Sequence, residues 1–136
     1  MTSQRKVIIG GCVAVVLFDV LASAASRSFA FPYARASVGS YFIYAAVGFL
    51  AGRCSDCLHA RAGARAAAIA GFADASLGWA ASWMIGPGRT PSGSLTPLTW
   101  ILTAIMVAAF ASMVGFLGGA VGGRSRPPLG GSGPIA

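Results

Sequence analysis

Apolar residues run along the chain in four blocks, at approximately Val7 to Ser26, Ala36 to Gly52, Ala66 to Ile85 and Leu98 to Val121, each flanked by Arg or by turn formers. A helix needs about 17 to 25 residues to cross the roughly 30 Å hydrocarbon core of a bilayer, so each block is long enough, the second only just. Backbone polar groups cannot stay unpaired in lipid, and no block shows the ten-residue alternation of a barrel strand. The pattern predicts an all-α integral membrane protein. Its membrane domain is a four-transmembrane-helix bundle over residues 7–123, preceded by a short N-terminus at 1–6. The tail at 124–136 is expected to be disordered, because its Arg, Ser, Pro and Gly cannot bury a core.

Polar positions inside the blocks divide the chain further. Superimposing Asp19 on Asp74 without a gap also superimposes Pro32 on Pro87, and the following blocks both carry Val-Gly-Phe-Leu, at Val47 to Leu50 and Val114 to Leu117. The chain therefore reads as two helical hairpins in a parallel internal repeat, related by an axis along the membrane normal. The second copy needs about a dozen extra residues, taken up by the outer loop Gly86 to Pro97 and a longer fourth helix. Phe31, Pro32 and Tyr33 make a short outer turn; Gly86, Pro87 and Gly88, then Pro91, Ser92, Gly93 and Ser94, make a longer one. Arg53 to Arg65 links the hairpins.

Composition supports the membrane assignment: 56% of the 136 residues are hydrophobic and 10% charged, against about 25% charged in soluble domains. A net charge of +7 raises nucleic acid as a partner. The ten basic residues come in ones and twos between apolar blocks, however, with no basic stripe, so no nucleic-acid partner is expected. They describe topology better. Arg5, Lys6, Arg53, Arg61, Arg65, Arg124 and Arg126 fall on one side, and Arg27, Arg35 and Arg89 on the other. Seven against three predicts a multi-pass protein of a bacterial-type inner membrane with both termini cytoplasmic. Phe29, Phe31, Tyr33, Tyr41, Tyr44, Trp79, Trp83 and Trp100 all gather toward the outer side, as an interfacial belt would. Arg5 and Lys6, the apolar run and the triplet Ala22, Ser23, Ala24 also resemble a secretory signal peptide. Asp19, close to that cleavage point, and the later counterpart of the first block weigh against cleavage.

The candidate chemistry rests on the acids. Only three occur, and two of them, Asp19 and Asp74, lie inside membrane blocks, where an Asp costs roughly 2.5 to 3.5 kcal/mol. They sit about 18 Å and about 12 Å from the cytoplasmic starts of their helices, within about one turn of the same depth. Cys12, Asp19, Ser23 and Ser26 share one face of the first helix; Gly71, Asp74, Gly78 and Ser82 share one face of the third. Two carboxyls facing each other in low dielectric hold a proton or a cation between them, so Asp19, Asp74, Ser23 and Ser82 are the candidate proton- or ion-binding residues. The alternative role is helix glue, a neutral Asp bonded to a neighbouring helix.

Two further patterns carry weight. Gly48 and Gly52 on the second helix, with Gly115, Gly119 and Gly123 on the fourth, recur at four-residue spacing and predict close helix packing. The partner is either another helix of the chain or a second copy in a homo-oligomer. Cys54, Cys57 and His59 supply three soft ligands at a spacing that suits zinc or copper(I), which makes them a candidate metal group on the cytoplasmic side. No nucleotide loop or nucleophile constellation appears, and one histidine is little equipment for acid-base work, so neither an enzyme nor a resident cofactor is expected. The residues point first to a small proton- or cation-linked transporter or channel, acting as a homo-oligomer in the lipid bilayer. The alternatives are a non-catalytic accessory or assembly subunit of a larger membrane complex and a metal-handling protein.

Overall fold

The computed structural model describes residues 2–29, 32–89 and 96–125, and every regular element among them is helical. Helix α1 spans Ser3–Phe29; a 3-10 turn, Tyr33–Arg35, leads into α2, Ser37–Arg53. Helix α3, His59–Ala73, passes through a π-helical turn, Asp74–Gly78, into α4, Trp79–Ile85, and α5 runs Pro97–Arg124. Because α3, the π turn and α4 make one rod, the chain is a bundle of four rods. Two helices, α1 and α5, are long and apolar enough to cross a membrane.

Local chemistry explains the ends. Thr96 caps α5 by accepting the Thr99 N–H at 3.3 Å, with Pro97 at the first helical position, where its missing N–H costs nothing. The third rod starts at His59, earlier than the predicted Ala66, and the link between α2 and α3 shrinks to residues 54–58. Apolarity marks where a helix meets water, and the strong helix formers of Ala60 to Ala68 carry the rod past that point with Arg61 and Arg65 exposed. Leu58, at φ 54° in the left-handed region, turns the chain between α2 and α3. Phe31 of the predicted outer turn, Pro91 to Ser94 of the predicted outer loop and the predicted tail from Arg126 lie outside the described residues.

The interior is made of small side chains. Buried positions are Val15, Tyr44, Ala67, Ala70 and Ala111 in one cluster and Val47, Ala51 and Ala66 in a second. Helix α5 buries only Ala104, Ala111, Gly115, Gly119 and Gly122. Its bulky residues, Ile101, Ile105, Met113 and Leu117 among them, are exposed, as are Leu17 and Leu21 on α1 and Phe42 on α2. Large apolar groups therefore face outward around a core of Ala and Gly.

That core is a glycine seam where α2, α3 and α5 meet. A Cβ added at Gly48 would lie 2.5 Å from the Gly115 Cα; one at Gly52 would lie 2.6 Å from the Gly119 Cα, and one at Gly63 2.7 Å from the same atom. Backbone touches backbone on all three helices, which only residues without a Cβ permit. The glycines are thus spent within the chain, against both neighbouring helices, and Gly123 lies against the His59 ring.

Candidate functional site

Asp19 and Asp74 are brought together. Asp19 sits on the buried face of α1 with Gly11, Val15, Ala22 and Ser23, at the helical spacing expected of one stripe. Asp74 opens the π turn, and Gly78, one turn later, provides the gap in which the two carboxyls meet. A Cβ at Gly78 would collide with Asp19 Oδ2 and stand 3.0 Å from Asp74 Oδ1. The acids are 8% and 9% exposed. Asp74 Oδ2 accepts a hydrogen bond from the Tyr44 hydroxyl, while Asp74 Oδ1 is buried without a hydrogen-bond partner.

The π turn is the local distortion that carries Asp74. The Trp79 N–H reaches back five residues to the Asp74 carbonyl, and Trp100 on α5 donates its indole N–H to the Ala75 carbonyl at 3.0 Å. Wide turns of this kind are frequent at functional sites.

From the acid pair a file of polar groups leads toward the outer end. Tyr33, in the 3-10 turn, lies against Asp19, Ser23 and Ser82, and burial pushes its phenol above the ordinary tyrosine range. Ser23 and Ser82 are fully buried, with the Tyr33 phenol as their polar neighbour. Beside the file lies a cavity of about 410 Å³, lined by Asp19, Asp74, Tyr33, Tyr41, Tyr44, Ser37, Ser40, Trp79, Thr103, Met106 and Phe110 among others. Toward the end that carries the link between α2 and α3, Val15, Ala67, Ala70 and Ala111 close the bundle, followed by the glycine seam.

All four predicted ion-site residues thus face one region, and the structure adds Tyr33 and Tyr44. Tyr44 belongs to no interfacial belt. It is 1% exposed and points inward at Asp74, because α2 is held against α3 and α5 by the glycines below it. The signal was present in Ser37, Ser40 and Tyr44, spaced three and four apart on the stripe that continues into Val47, Gly48 and Ala51.

Cys54, Cys57 and His59 are not assembled as a ligand set. Among the described residues no group of three His, Cys, Asp or Glu side chains converges to hold a metal ion. Cys54 is the half-buried residue ending α2 and Cys57 is exposed, while His59 pairs its Nδ1 with the Gly52 carbonyl at 2.9 Å and packs its ring on Gly123. The turn at Leu58 sends the imidazole toward α5 and away from the thiols.

At the outer rim Arg27 donates to the Ile85 carbonyl at 2.9 Å, and Arg89 donates to the Trp83 carbonyl at 3.2 Å while its guanidinium lies 5.4 Å from the Trp83 ring centre. Both arginines hold helix ends. Comparison with protein-family models, with curated proteins and with solved structures found no match.

Proposed function

We propose that the chain is a four-span membrane protein with cytoplasmic termini, and that it transports a proton or small cation using Asp19 and Asp74 as the shared mid-membrane site. The observation that carries this is the meeting of the two acids over Gly78, beneath a polar file and beside a cavity. Two carboxyls so close in low dielectric require a counter-charge between them, either a proton or a cation, and that requirement makes a site able to load and unload. Asp74 Oδ1 is buried against Asp19 with no fixed donor, which suits an oxygen that takes up a proton or a cation.

Membrane insertion is supported by the inside-out packing. Ala and Gly form the core while Ile, Leu, Met and Phe face outward, an arrangement that gains close helix contact in lipid and would expose a large apolar surface in water. The hairpin repeat is supported by contacts between equivalent positions: Asp19 with Asp74, Gly48 with Gly115 and Gly52 with Gly119. A two-fold axis along the membrane normal brings such pairs together. The closed cytoplasmic half favours a carrier, whose helices must part, over an open pore.

Flux in reconstituted vesicles tests this directly. Asp19→Asn and Asp74→Asn should each abolish proton- or cation-dependent dye signals that the wild type produces; unchanged flux in both variants would sink the proposal. A stoichiometric unrelated partner retained in mild detergent would favour an accessory subunit instead, which has lost one motive, since the glycines meant for docking are already occupied.

A further inference from the structure

We infer that the cavity above the acid pair binds an apolar organic cation, a quaternary or tertiary ammonium carrying hydrocarbon groups. This deepens the proposed function and rests on it. Size is the first argument: a proton or a bare metal ion needs almost no space, whereas the cavity is about 410 Å³, within the range of sites that hold small organic ligands.

Lining is the second. The two carboxyls at its base supply negative charge, and Tyr33, Tyr41, Tyr44, Trp79 and Phe110 surround the space with aromatic rings. Ring faces attract cations, most strongly those that shed water easily, and an alkylammonium does so far more readily than a sodium ion. None of the described residues lining the cavity is Lys or Arg, so none of them repels a positive charge.

Access is the third. Tyr41, Met106 and Phe110 lie on the exposed outer surface of α2 and α5, with the Tyr41 and Phe110 rings 5.0 Å apart. The cavity therefore opens sideways between these helices, onto the surface that meets hydrocarbon in the membrane. A cation with apolar groups concentrates in the bilayer and reaches the acids by that side, and at the pair its charge takes the place of the proton, which leaves to solvent.

Benzyltrimethylammonium is a suitable probe, titrated into the full-length protein in nanodiscs with tryptophan fluorescence and calorimetry as readouts. Saturable binding is expected. Benzyl alcohol and sodium chloride should bind at least about tenfold more weakly, and Tyr41→Ala or Phe110→Ala should weaken the probe by about tenfold, a loss typical of a desolvated cation–ring contact, while Tyr41→Phe keeps it. Circular dichroism of each variant separates lost binding from lost fold; Tyr41 and Phe110, 43% and 46% exposed, both tolerate truncation. Saturable sodium binding equal to that of the probe overturns the inference, as does probe binding indifferent to both ring truncations. Absence of probe binding alongside Asp-dependent flux overturns it while sparing the proposed function. Absence of both rejects the two together.

Discussion

Gly115→Ala is the sharpest test of the packing that holds the site. The new Cβ would overlap the Ala67 Cβ and lie 2.6 Å from the Gly63 carbonyl oxygen and 3.2 Å from its carbon. The Gly63 oxygen is backbone of a facing helix, so no side-chain rotation relieves the clash. Ordinary contacts begin near 3.5 Å, so α5 must withdraw by roughly 1 Å, and a gap of that size forfeits a quarter to a half of each dispersion contact along the seam. Overpacking of this kind costs about 1–3 kcal/mol, against which alanine's better helix propensity returns about 1 kcal/mol. The net expectation is a loss of up to about 2 kcal/mol. Gly10→Ala is the matched control: nothing lies within 4 Å of its would-be Cβ, so the same chemical change should be neutral or stabilise by up to about 1 kcal/mol. Unfolding by sodium dodecyl sulfate from mild-detergent micelles, followed by circular dichroism, reads both. If Gly115→Ala proves as stable as Gly10→Ala, the helices do not approach as described.

Three other outcomes follow from particular contacts. Tyr44→Phe removes the donor to Asp74 Oδ2 and leaves that buried oxygen unpaired, which should cost about 1–3 kcal/mol in the same unfolding assay; wild-type stability would contradict the bond. Trp100→Phe deletes the indole bond to the Ala75 carbonyl, so amide hydrogen exchange should rise across Asp74–Gly78 and stay unchanged in α2; protection equal to the wild type would mean that Trp100 does not brace the π turn. Cys54→Ser combined with Cys57→Ser should leave the metal content of the purified protein unchanged by elemental analysis, because His59 is turned away from the thiols, and loss of bound metal would restore the ligand set.

The amino-acid pattern revealed the acids and their stripes because both are written in helical spacing: Ser23 stands four residues after Asp19, and Gly78 and Ser82 follow Asp74 at four-residue steps. It could not reveal which stripes face each other, since that depends on which helices the glycines draw together. The π turn was equally invisible. One residue of extra winding leaves apolar spacing almost unchanged, no proline marks Asp74 to Gly78, and Gly78 reads equally well as a packing glycine. Tyr44 was misplaced because an aromatic near a helix's outer third suits both an interface and a buried bond; only the serines at positions 37 and 40, on its own stripe, argued for the interior. The Cys-His group was legible as composition, but ligand geometry needs a backbone that converges, and Leu58 turns it apart.

A chain with so few polar groups can build a buried polar site only by dividing labour along its length. At the end of the bundle that carries the link between α2 and α3, the glycines let α2, α3 and α5 close until backbones touch. On the other side of the acids Tyr41, Tyr44, Trp79 and Phe110 stand in place of Gly and Ala, and the cavity lies among them. The acids sit where the two regimes meet. Moving either one turn toward the cytoplasm would place it against packed Ala and Gly, with no room for a counter-charge; moving it one turn outward would let solvent screen the pair and remove the need for a shared proton or cation. The depth of Asp19 and Asp74 is therefore set by the glycine seam beneath them, and a change that loosens the seam should disturb the acid pair although no residue of the pair is touched.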